Sequence, residues 1–155
     1  MPDKITYQQE FLVDVESEII ALIELHWQEI ALNKDSIKLN PDWEAYAQLE
    51  HEGKLKIFTS RSGNNLVGYF VVFVAHNIHY KDHLFGTNDI IYLHPDYRKG
   101  FTGIKLIKFA EKSLKQDGVS VLVINTKAHQ PFDTVLTFLG FNLIERVYSK
   151  YLKDK

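Results

Sequence analysis

The sequence predicts an α/β protein in which a central mixed sheet of six or seven strands is flanked by about four helices. Residues 88–126 read as strand, helix and strand, the order that joins two parallel strands by a right-handed crossover. Residues 54–75 read as a hairpin, whose two strands run antiparallel. The length of 155 residues and the 45% share of hydrophobic residues suit one domain, so we expect residues 1–155 to form a single unit.

The first part of the chain is predicted to supply one strand and two helices. The strand covers residues 5–12, and a long amphipathic helix follows it over residues 14–32. The apolar stripe of this helix consists of Ile19, Leu22, Ile23, Trp27 and Ile30. We expect Asn40 to cap the second helix, with Pro41 in its first turn, and Gly53 to end it.

The second part is predicted to be richer in strands. Apolar and β-branched residues mark four of them, at 54–60, 66–75, 88–93 and 119–126. A short helix closed by Gly140 follows, and "FNLIERVYSKYL" is expected to add two strands that complete the sheet.

Composition and charge exclude several classes of protein. The absence of cysteine rules out disulfide frameworks, thiolate zinc sites and a cysteine nucleophile, and it fits a reducing cytoplasm. The net charge of −2 disfavours nucleic acid and anionic lipid as partners. The longest apolar run, residues 69–75, is too short to span a bilayer, so no membrane partner is expected. Three histidines at 76, 79 and 83 would be scattered along a strand end and loop, so no metal is expected.

The turn "RKGFTG", residues 98–103, lies at the start of a predicted helix. The first N–H groups of a helix lack intrahelical acceptors, and its dipole favours an anion there. Two glycines allow a close approach, Arg98 and Lys99 add positive charge, and Thr102 adds a hydroxyl. The turn therefore either binds a phosphate or pyrophosphate group or is an ordinary turn that uses glycine for steric reasons.

A strand ending "YLHP", then "DYRKGFTGIKLI", a further strand and a helix ending "FLGF" together resemble the GNAT superfamily of acetyl-CoA-dependent N-acetyltransferases. The resemblance covers nearly the whole chain. The turn pattern of that family is Arg/Gln-x-x-Gly-x-Gly/Ala, and here Arg98 matches its first position and Gly103 its last. Phe101 stands at the position of the middle glycine, and Gly100 comes one residue early.

The resemblance implies that acetyl-CoA is the co-substrate. Its pyrophosphate would bind the turn and helix start, and its pantetheine arm would pair with the strand at 90–93 like an added strand. The Leu93 N–H would stabilise the oxyanion. The implied coenzyme-binding residues are Ile91, Leu93, Arg98, Lys99, Gly100, Phe101, Thr102, Gly103 and Ile104.

The catalytic groups implied by the resemblance are less well defined. Asp89 has the placement of the carboxylate that many members use as a base, although it reads equally as a turn aspartate. His94 and Glu145 are alternative bases. Many members carry a tyrosine that protonates the leaving thiolate, but here that position is Leu136, so Tyr148 is the substitute, with Thr137 and Tyr151 as alternatives.

The sequence thus predicts a cytoplasmic N-acetyltransferase that transfers acetyl from acetyl-CoA directly to an amine. The amine acceptor, a small molecule or a protein, is not encoded in any readable motif, and a homodimer is one of the assemblies left open. The match is closest to GNAT-like proteins of bacteriophages, which would place the protein in a host cytoplasm. The alternative is a weakly active or inactive protein of this fold that binds coenzyme A and contacts another macromolecule; Phe101 and Leu136 are the departures that favour it.

Overall fold

Five strands and four α-helices succeed one another in the computed structural model, which describes residues 3–154. The strands are β1 (Ile5–Glu10), β2 (Leu55–Ser62), β3 (Asn65–His76), β4 (Leu84–Leu93) and β5 (Val119–Val123). The helices are α1 (Leu12–Ile30), α2 (Trp43–His51), α3 (Thr102–Gln116) and α4 (Asp133–Phe138), with a 3₁₀ turn at Pro95–Tyr97. Among the described residues, no helix is long and apolar enough to cross a membrane.

The strands form one mixed sheet in the order β1-β2-β3-β4-β5. The first four are antiparallel neighbours, and β5 pairs parallel with β4 through the α3 crossover. The predicted mixed sheet and crossover are therefore confirmed. The predicted six or seven strands are wrong, because the chain after Gly140 joins no strand of the described sheet and leaves it with five.

Two hydrophobic cores lie on opposite faces of the sheet. The α1-face core packs α1 and α2 on one face and is centred on Val15, Ile19, Leu55, Ile57 and Tyr69. The α3-face core packs α3 and α4 on the other and is centred on Phe58, Phe70, Leu106, Ile107 and Ala110. Because strand side chains alternate between faces, neighbouring β2 and β3 residues contribute to both cores. The central strands are therefore buried on both sides, as their nearly continuous apolar sequences predict.

Polar contacts fix α1 and α2 against the sheet and against each other. Arg61 on β2 donates to Glu10 on β1 and to Glu18 on α1, with N···O distances of 2.8 to 3.0 Å. The Leu12 N–H donates to Glu50 on α2 at 2.9 Å. The first N–H groups of a helix have no acceptor within the helix, and this contact supplies an acceptor to one of those of α1. These contacts fix the position of α1, the helix that carries His26 and Glu29 of the site described below.

The predicted start of the second helix is two residues early. Asp42 is the N-cap, and its carboxylate accepts the Ala45 N–H at 2.9 Å, whereas Asn40 and Pro41 precede the helix. An aspartate is as good a cap as an asparagine, and Asp42 has the spacing that reaches the third helical N–H. The predicted end is confirmed, since Gly53 follows α2 with a φ of 74°.

Candidate functional site

The site lies where β4 and β5 separate, a feature that we call the β4–β5 opening. Their parallel pairing ends at Thr87 and Val123, although β4 continues to Leu93. Asn88 sits at the point of separation: its side-chain carbonyl accepts the Asn125 N–H at 2.6 Å, and its amide approaches the Asn125 carbonyl at 3.5 Å. The Asn88 side chain thus takes the place of the next backbone hydrogen bonds between β4 and β5, and the two strands diverge beyond it.

One wall of the β4–β5 opening is the free edge of β4. The His94 N–H donates to Val67 on β3 at 2.8 Å. In an antiparallel pair the backbone groups of alternate residues point to opposite sides of the strand. The N–H and C=O groups of Ile91 and Leu93 therefore point away from β3 and into the opening, where no strand pairs with them. An extended ligand with amide groups fits this edge as an added strand.

The end of the opening is formed by the turn before α3. Within the described residues, the backbone N–H groups of residues 99–104 donate to no acceptor, and the first bond of α3 runs from Lys105 N to Phe101 O at 2.9 Å. Gly100 takes the left-handed φ of 88° that a non-glycine residue avoids. The Phe101 side chain is 65% exposed and turned to solvent, so its backbone N–H remains available. The turn therefore has the free N–H donors that an anion site requires, and the predicted anion site itself stays a prediction.

A cavity of about 520 Å³ occupies the opening. Seven of the sequence-predicted residues line it: Asp89, Ile91, Leu93, Arg98, Gly100, Gly103 and Ile104. Lys99, Phe101 and Thr102 are not among its lining residues, although they belong to the same turn. The opposite wall consists of Asn125, Lys127, Gln130, Pro131, Phe132 and Val135. The volume is in the usual range for a small-molecule site, and apolar side chains with a few polar groups are its typical lining.

Arg98 is held by protein groups at the mouth of this cavity. Its Nε donates to the Leu93 carbonyl at 2.8 Å, and its Nη2 donates to both carboxylate oxygens of Glu29, at 2.8 and 2.9 Å. The guanidinium also lies over the Tyr92 ring, 5.5 Å from the centroid. The predicted phosphate-binding arginine is therefore an ion-pair partner of α1, and an anion on the turn would compete with Glu29 for it.

The aromatic side chains of His26, Tyr69 and Tyr92 form a buried cluster with polar atoms next to this ion pair. His26 on α1 is 6% exposed, its Nδ1 lies 3.1 Å from the Tyr69 hydroxyl, and its ring stacks on Tyr92 at 4.9 Å. Burial lowers the pKa of His26 to about 4, so the imidazole is neutral near pH 7. The Tyr92 hydroxyl is buried and has no hydrogen-bond partner in the described part of the chain. His26 and Tyr92 both line the cavity.

Asp89 occupies a β-bulge. Val71 pairs with Ile90 and Val72 pairs with Asn88, so Asp89 is the extra residue in β4. Its carboxylate accepts a hydrogen bond from the Tyr46 hydroxyl on α2 and lies in the cavity lining. Desolvation raises the pKa of Asp89, and the Tyr46 hydrogen bond partly offsets this by lowering it. A half-buried carboxylate held by one neutral donor has the environment of a general base.

The other predicted catalytic side chains are not brought to the cavity. Glu145 and Tyr148 are exposed in the chain that follows α4, and neither lines the cavity, so their roles remain predictions. Leu136 is buried in the α3-face core, where an apolar side chain packs α4 against the sheet. Among residues 3–154, no group of three histidine, aspartate or glutamate side chains is placed to hold a metal ion.

Sequence reasoning missed three side chains of the site, His26, Glu29 and Tyr92, and it named Tyr46 either as part of an acceptor cleft or as a core aromatic. The first two lie within a helix whose apolar stripe gave the only readable pattern. His26 directly precedes Trp27, a residue of that stripe, and this position is a signal that its side chain could be buried. Periodicity, however, cannot tell a buried histidine from an exposed one. Tyr92 reads as a core aromatic and is one, and Tyr46 packs partly buried against the same core while its hydroxyl donates to Asp89.

Comparisons with known proteins detect the fold. No protein-family model matches the chain, and no curated protein matches it by sequence. An aminoglycoside acetyltransferase from an uncultured soil metagenomic sample, crystallised with trehalose, has a TM-score of 0.72 at 16% identity, over 97% of both chains. A predicted acetyltransferase from Clostridium acetobutylicum, crystallised with acetyl-CoA, has a TM-score of 0.71 at 11% identity, over 96% of both chains.

Glucosamine-6-phosphate N-acetyltransferase from Arabidopsis thaliana is similar as well, with a TM-score of 0.73 at 11% identity, over 97% of this chain and 100% of that one. The predicted fold is thus confirmed as a GNAT-like α+β fold with a five-stranded mixed sheet and four helices. At these identities the comparisons establish the fold alone. They give no support to the expected bacteriophage relatives.

His26 is expected to make stability depend on pH. Its pKa is about 4 in the folded protein and about 6.5 in the unfolded chain, so between these values only the unfolded chain binds the proton. The free energy of unfolding should therefore fall as the pH is lowered from 6.5 to 4, by a contribution on the order of 3 kcal/mol. Denaturant titrations at several pH values should show this slope reduced in His26→Gln and retained in His51→Gln, an exposed control. Equal slopes in both variants would contradict the assignment.

Proposed function

We propose that the protein transfers the acetyl group of acetyl-CoA directly to an amine. The observation that carries this proposal is the β4–β5 opening. An unpaired strand edge formed by Ile91 and Leu93 leads into a turn whose N–H groups at 99–104 have no acceptor. The edge suits the amide-containing arm of coenzyme A, and the turn suits its pyrophosphate.

The two ends of the site accept the two ends of the coenzyme. The pyrophosphate would accept hydrogen bonds from the turn amides, with Arg98 and Lys99 as nearby positive charges. The thioester would then lie toward the point where Asn88 closes the opening, beside Asp89. Gly103 suits a close approach, because a Cβ there would meet only Leu93, at 3.6 Å, and the rest of the space is open to a ligand.

The reaction requires the acceptor nitrogen to lose a proton and the sulfur to gain one. The amine nitrogen attacks the thioester carbonyl carbon, the carbon–sulfur bond breaks, and coenzyme A leaves as a thiolate that is then protonated. Asp89 is the proposed base. Leu93 lies four strand residues from Asp89, about 13 Å, so its N–H is too far from a thioester placed there, and the Ile91 N–H is the free donor on β4 nearer to the oxyanion. Leu136 leaves no acid on α4 at the position that many GNAT proteins use. A water molecule, or another proton donor next to the bound coenzyme, would supply the proton to the sulfur.

The acceptor would enter from the α1 side of the cavity. The cavity lining includes two carboxylates, Asp89 and the Glu29 that is paired with Arg98, and the neutral side chains of His26 and Tyr92. Carboxylates stabilise the ammonium form in which most amines exist near pH 7, so they concentrate a cationic acceptor. The neutral groups can hydrogen-bond to hydroxyl or amide groups of the same molecule. A small, cationic, hydroxylated amine is the acceptor class that this lining fits.

Acetyl-CoA turnover with a panel of amines tests the function. We expect acetyl-CoA to bind by calorimetry and free thiol to appear when hydroxylated cationic amines are added, with the acetylated product identified by mass spectrometry. Binding without turnover by any amine would support the alternative of a coenzyme-binding protein that acts through contacts with a macromolecule. The absence of measurable acetyl-CoA binding would contradict the proposal altogether.

Arg98 and Glu29 are expected to have opposite effects on coenzyme affinity. Hydrogen bonds to charged groups contribute about 1.5–3 kcal/mol, so Arg98→Ala should weaken acetyl-CoA binding by roughly tenfold to a hundredfold. Glu29→Gln frees the guanidinium from its ion pair, and partly exposed pairs contribute at most about 1 kcal/mol, so binding should strengthen by up to about fivefold. Calorimetry gives both values.

The matched control for that pair is Glu24→Gln, an exposed carboxylate on the same helix that makes the same change in net charge. It should leave acetyl-CoA affinity nearly unchanged. An equal gain in Glu24→Gln and Glu29→Gln would mean that net charge, not release of Arg98, controls binding. Unchanged affinity in Arg98→Ala would remove Arg98 from the phosphate site.

Asp89 is expected to set the acid side of the pH profile of kcat/KM. Asp89→Asn should lower the rate by about 10²- to 10⁴-fold, the usual contribution of a general base. Tyr46→Phe removes a hydrogen bond that lowers the pKa of Asp89, so the pKa rises and the acid limb should move to higher pH. Steady-state rates across the pH range measure the limb. Tyr80→Phe, an exposed tyrosine, is the control, and a limb that does not move in Tyr46→Phe would exclude Asp89 as the titrating group.

A further inference from the structure

Among the described residues, Lys127 is the only lysine that lines the cavity of the β4–β5 opening. It belongs to the wall opposite β4, two residues beyond Asn125, whose N–H donates to the Asn88 side chain at 2.6 Å. Neighbouring strands of a sheet lie about 4.8 Å apart, and the opening widens from this point onward. Lys127 therefore lies near the narrow end of the cavity, across from the strand that carries Asp89.

The backbone of Lys127 is held in place. Its carbonyl accepts the Gln130 N–H at 3.0 Å, and the two residues form an isolated β-bridge. The chain is anchored on both sides of this bridge, because Ile124 and Phe132 pack against the α3-face core. The side chain thus starts from a fixed point on the cavity wall. Its flexible four-carbon stem lets the amine at its end move within the cavity.

The Lys127 ammonium group is not committed to another side chain. Within residues 3–154, none of the salt bridges includes Lys127. Arg98 differs in this respect, since its guanidinium is bound by Glu29 and by the Leu93 carbonyl. Of the two cationic side chains in the lining, Lys127 is therefore the one whose nitrogen can take part in a reaction.

The charge of Lys127 reaches across the cavity. Burial is the main cause of the low pKa of His26, and the Glu29 carboxylate opposes it. The positive charges of Arg98 and Lys127 lower the pKa of His26 further. The Lys127 ammonium group therefore lies within electrostatic range of a side chain on the opposite wall, as expected for an amine that extends into the cavity.

We propose that Lys127 is a site of self-acetylation, at which acetyl-CoA bound in the β4–β5 opening transfers its acetyl group to the lysine amine. Self-acetylation rests on the proposed function, because it uses the same bound thioester and the same base. A primary alkylamine is the chemical class of this acceptor, and every molecule carries it in the cavity that also contains Asp89. A nucleophile held next to its electrophile reacts as if its concentration were very high.

The reaction needs no reactant besides acetyl-CoA. The lysine ammonium group first loses a proton to the Asp89 carboxylate, from which the proton passes to solvent. The neutral nitrogen then forms a bond to the thioester carbonyl carbon, and the carbon–sulfur bond breaks with its electron pair on sulfur. A second proton leaves the nitrogen as the amide forms and neutralises the thiolate. The products are N-acetyl-lysine, free coenzyme A and one proton in solvent.

Incubation of the full-length protein with isotopically labelled acetyl-CoA, followed by peptide mapping, tests the assignment. Lys81 is the internal control, because it is exposed in the loop between β3 and β4 and does not line the cavity. We expect acetylation of Lys127 to be at least about tenfold faster than that of Lys81, since positioning and a general base each accelerate such reactions by more than this. Equal rates would overturn the inference, because collision with acetyl-CoA would then account for both.

Two variants show whether the site performs the reaction. Asp89→Asn should slow acetylation of Lys127 by about 10²-fold or more and leave Lys81 unchanged. Lys127→Arg keeps the positive charge but removes the nucleophile, so the fast phase of label incorporation should disappear. Acetylation of Lys127 at the parental rate in Asp89→Asn would mean that the lysine reacts without the site, which would also overturn the inference. Circular dichroism checks that both variants fold.

A mixture of the two variants tests transfer within one molecule. Lys127→Arg supplies the base without the lysine, and Asp89→Asn supplies the lysine without the base. The mixture should acetylate Lys127 no faster than Asp89→Asn alone, and the parental rate constant should not depend on protein concentration. Restored acetylation in the mixture would mean that one molecule modifies another, which would remove Lys127 as an internal acceptor.

Failure of self-acetylation is distinguishable from failure of the proposed function. If acetyl-CoA binds by calorimetry and amines of the panel are acetylated while Lys127 and Lys81 react equally, self-acetylation alone is wrong. If acetyl-CoA does not bind, both proposals are wrong. Excess coenzyme A, which carries no acetyl group, should protect Lys127 by filling the opening and should not protect Lys81. Labelling of Lys127 that is unaffected by coenzyme A would place the reaction outside the opening and overturn the inference.

Discussion

The divergence of β4 from β5 is the constraint on which the rest of the site depends. If the parallel ladder continued past Thr87, the backbone groups of Ile91 and Leu93 would be used within the sheet and no cavity would exist between them and α4. Asn88 ends the ladder by accepting and donating in place of a backbone group. The bulge at Asp89 then turns β4 so that a carboxylate faces the space left open. Two adjacent residues therefore open the cavity and place a carboxylate in its lining.

The α1-face core completes the site from the opposite side. Buried rings of Tyr69 and Tyr92 pack against α1, which brings His26 and Glu29 to the end of β4. The resulting ion pair between Glu29 and Arg98 links α1 to the turn before α3. Because Arg98 also donates to the Leu93 carbonyl, a ligand that draws the guanidinium toward the turn changes contacts at the strand edge as well. If coenzyme binds the turn as proposed, its affinity would be coupled through Arg98 to the contacts of Glu29 and of the strand edge.

Sequence patterns predicted most of the fold and about half of the site. The crossover over 88–126 and the hairpin over 54–75 were readable, because strand and helix periodicities differ and turns carry glycine. The turn at 98–103 was readable because its glycines and positive charges limit the chemistry available to it, whereas Asp89 was named from its placement in the family resemblance. The contacts of Glu29 with Arg98 and of Tyr46 with Asp89 join residues 69 and 43 positions apart, and no local pattern encodes such pairs. The two extra strands were predicted from propensity, which describes what a segment can do and not whether an edge is present to pair with it.

β5 and the chain that follows it form the side of the β4–β5 opening that lies opposite β4. β5 is the shortest strand, only four of its residues pair with β4, and its continuation forms the far wall of the β4–β5 opening through Asn125 and Lys127. Its position therefore depends on packing of Leu122 and Ile124 in the α3-face core more than on its ladder. The width of the opening is therefore set by side-chain packing between this part of the chain and α3 more than by backbone pairing.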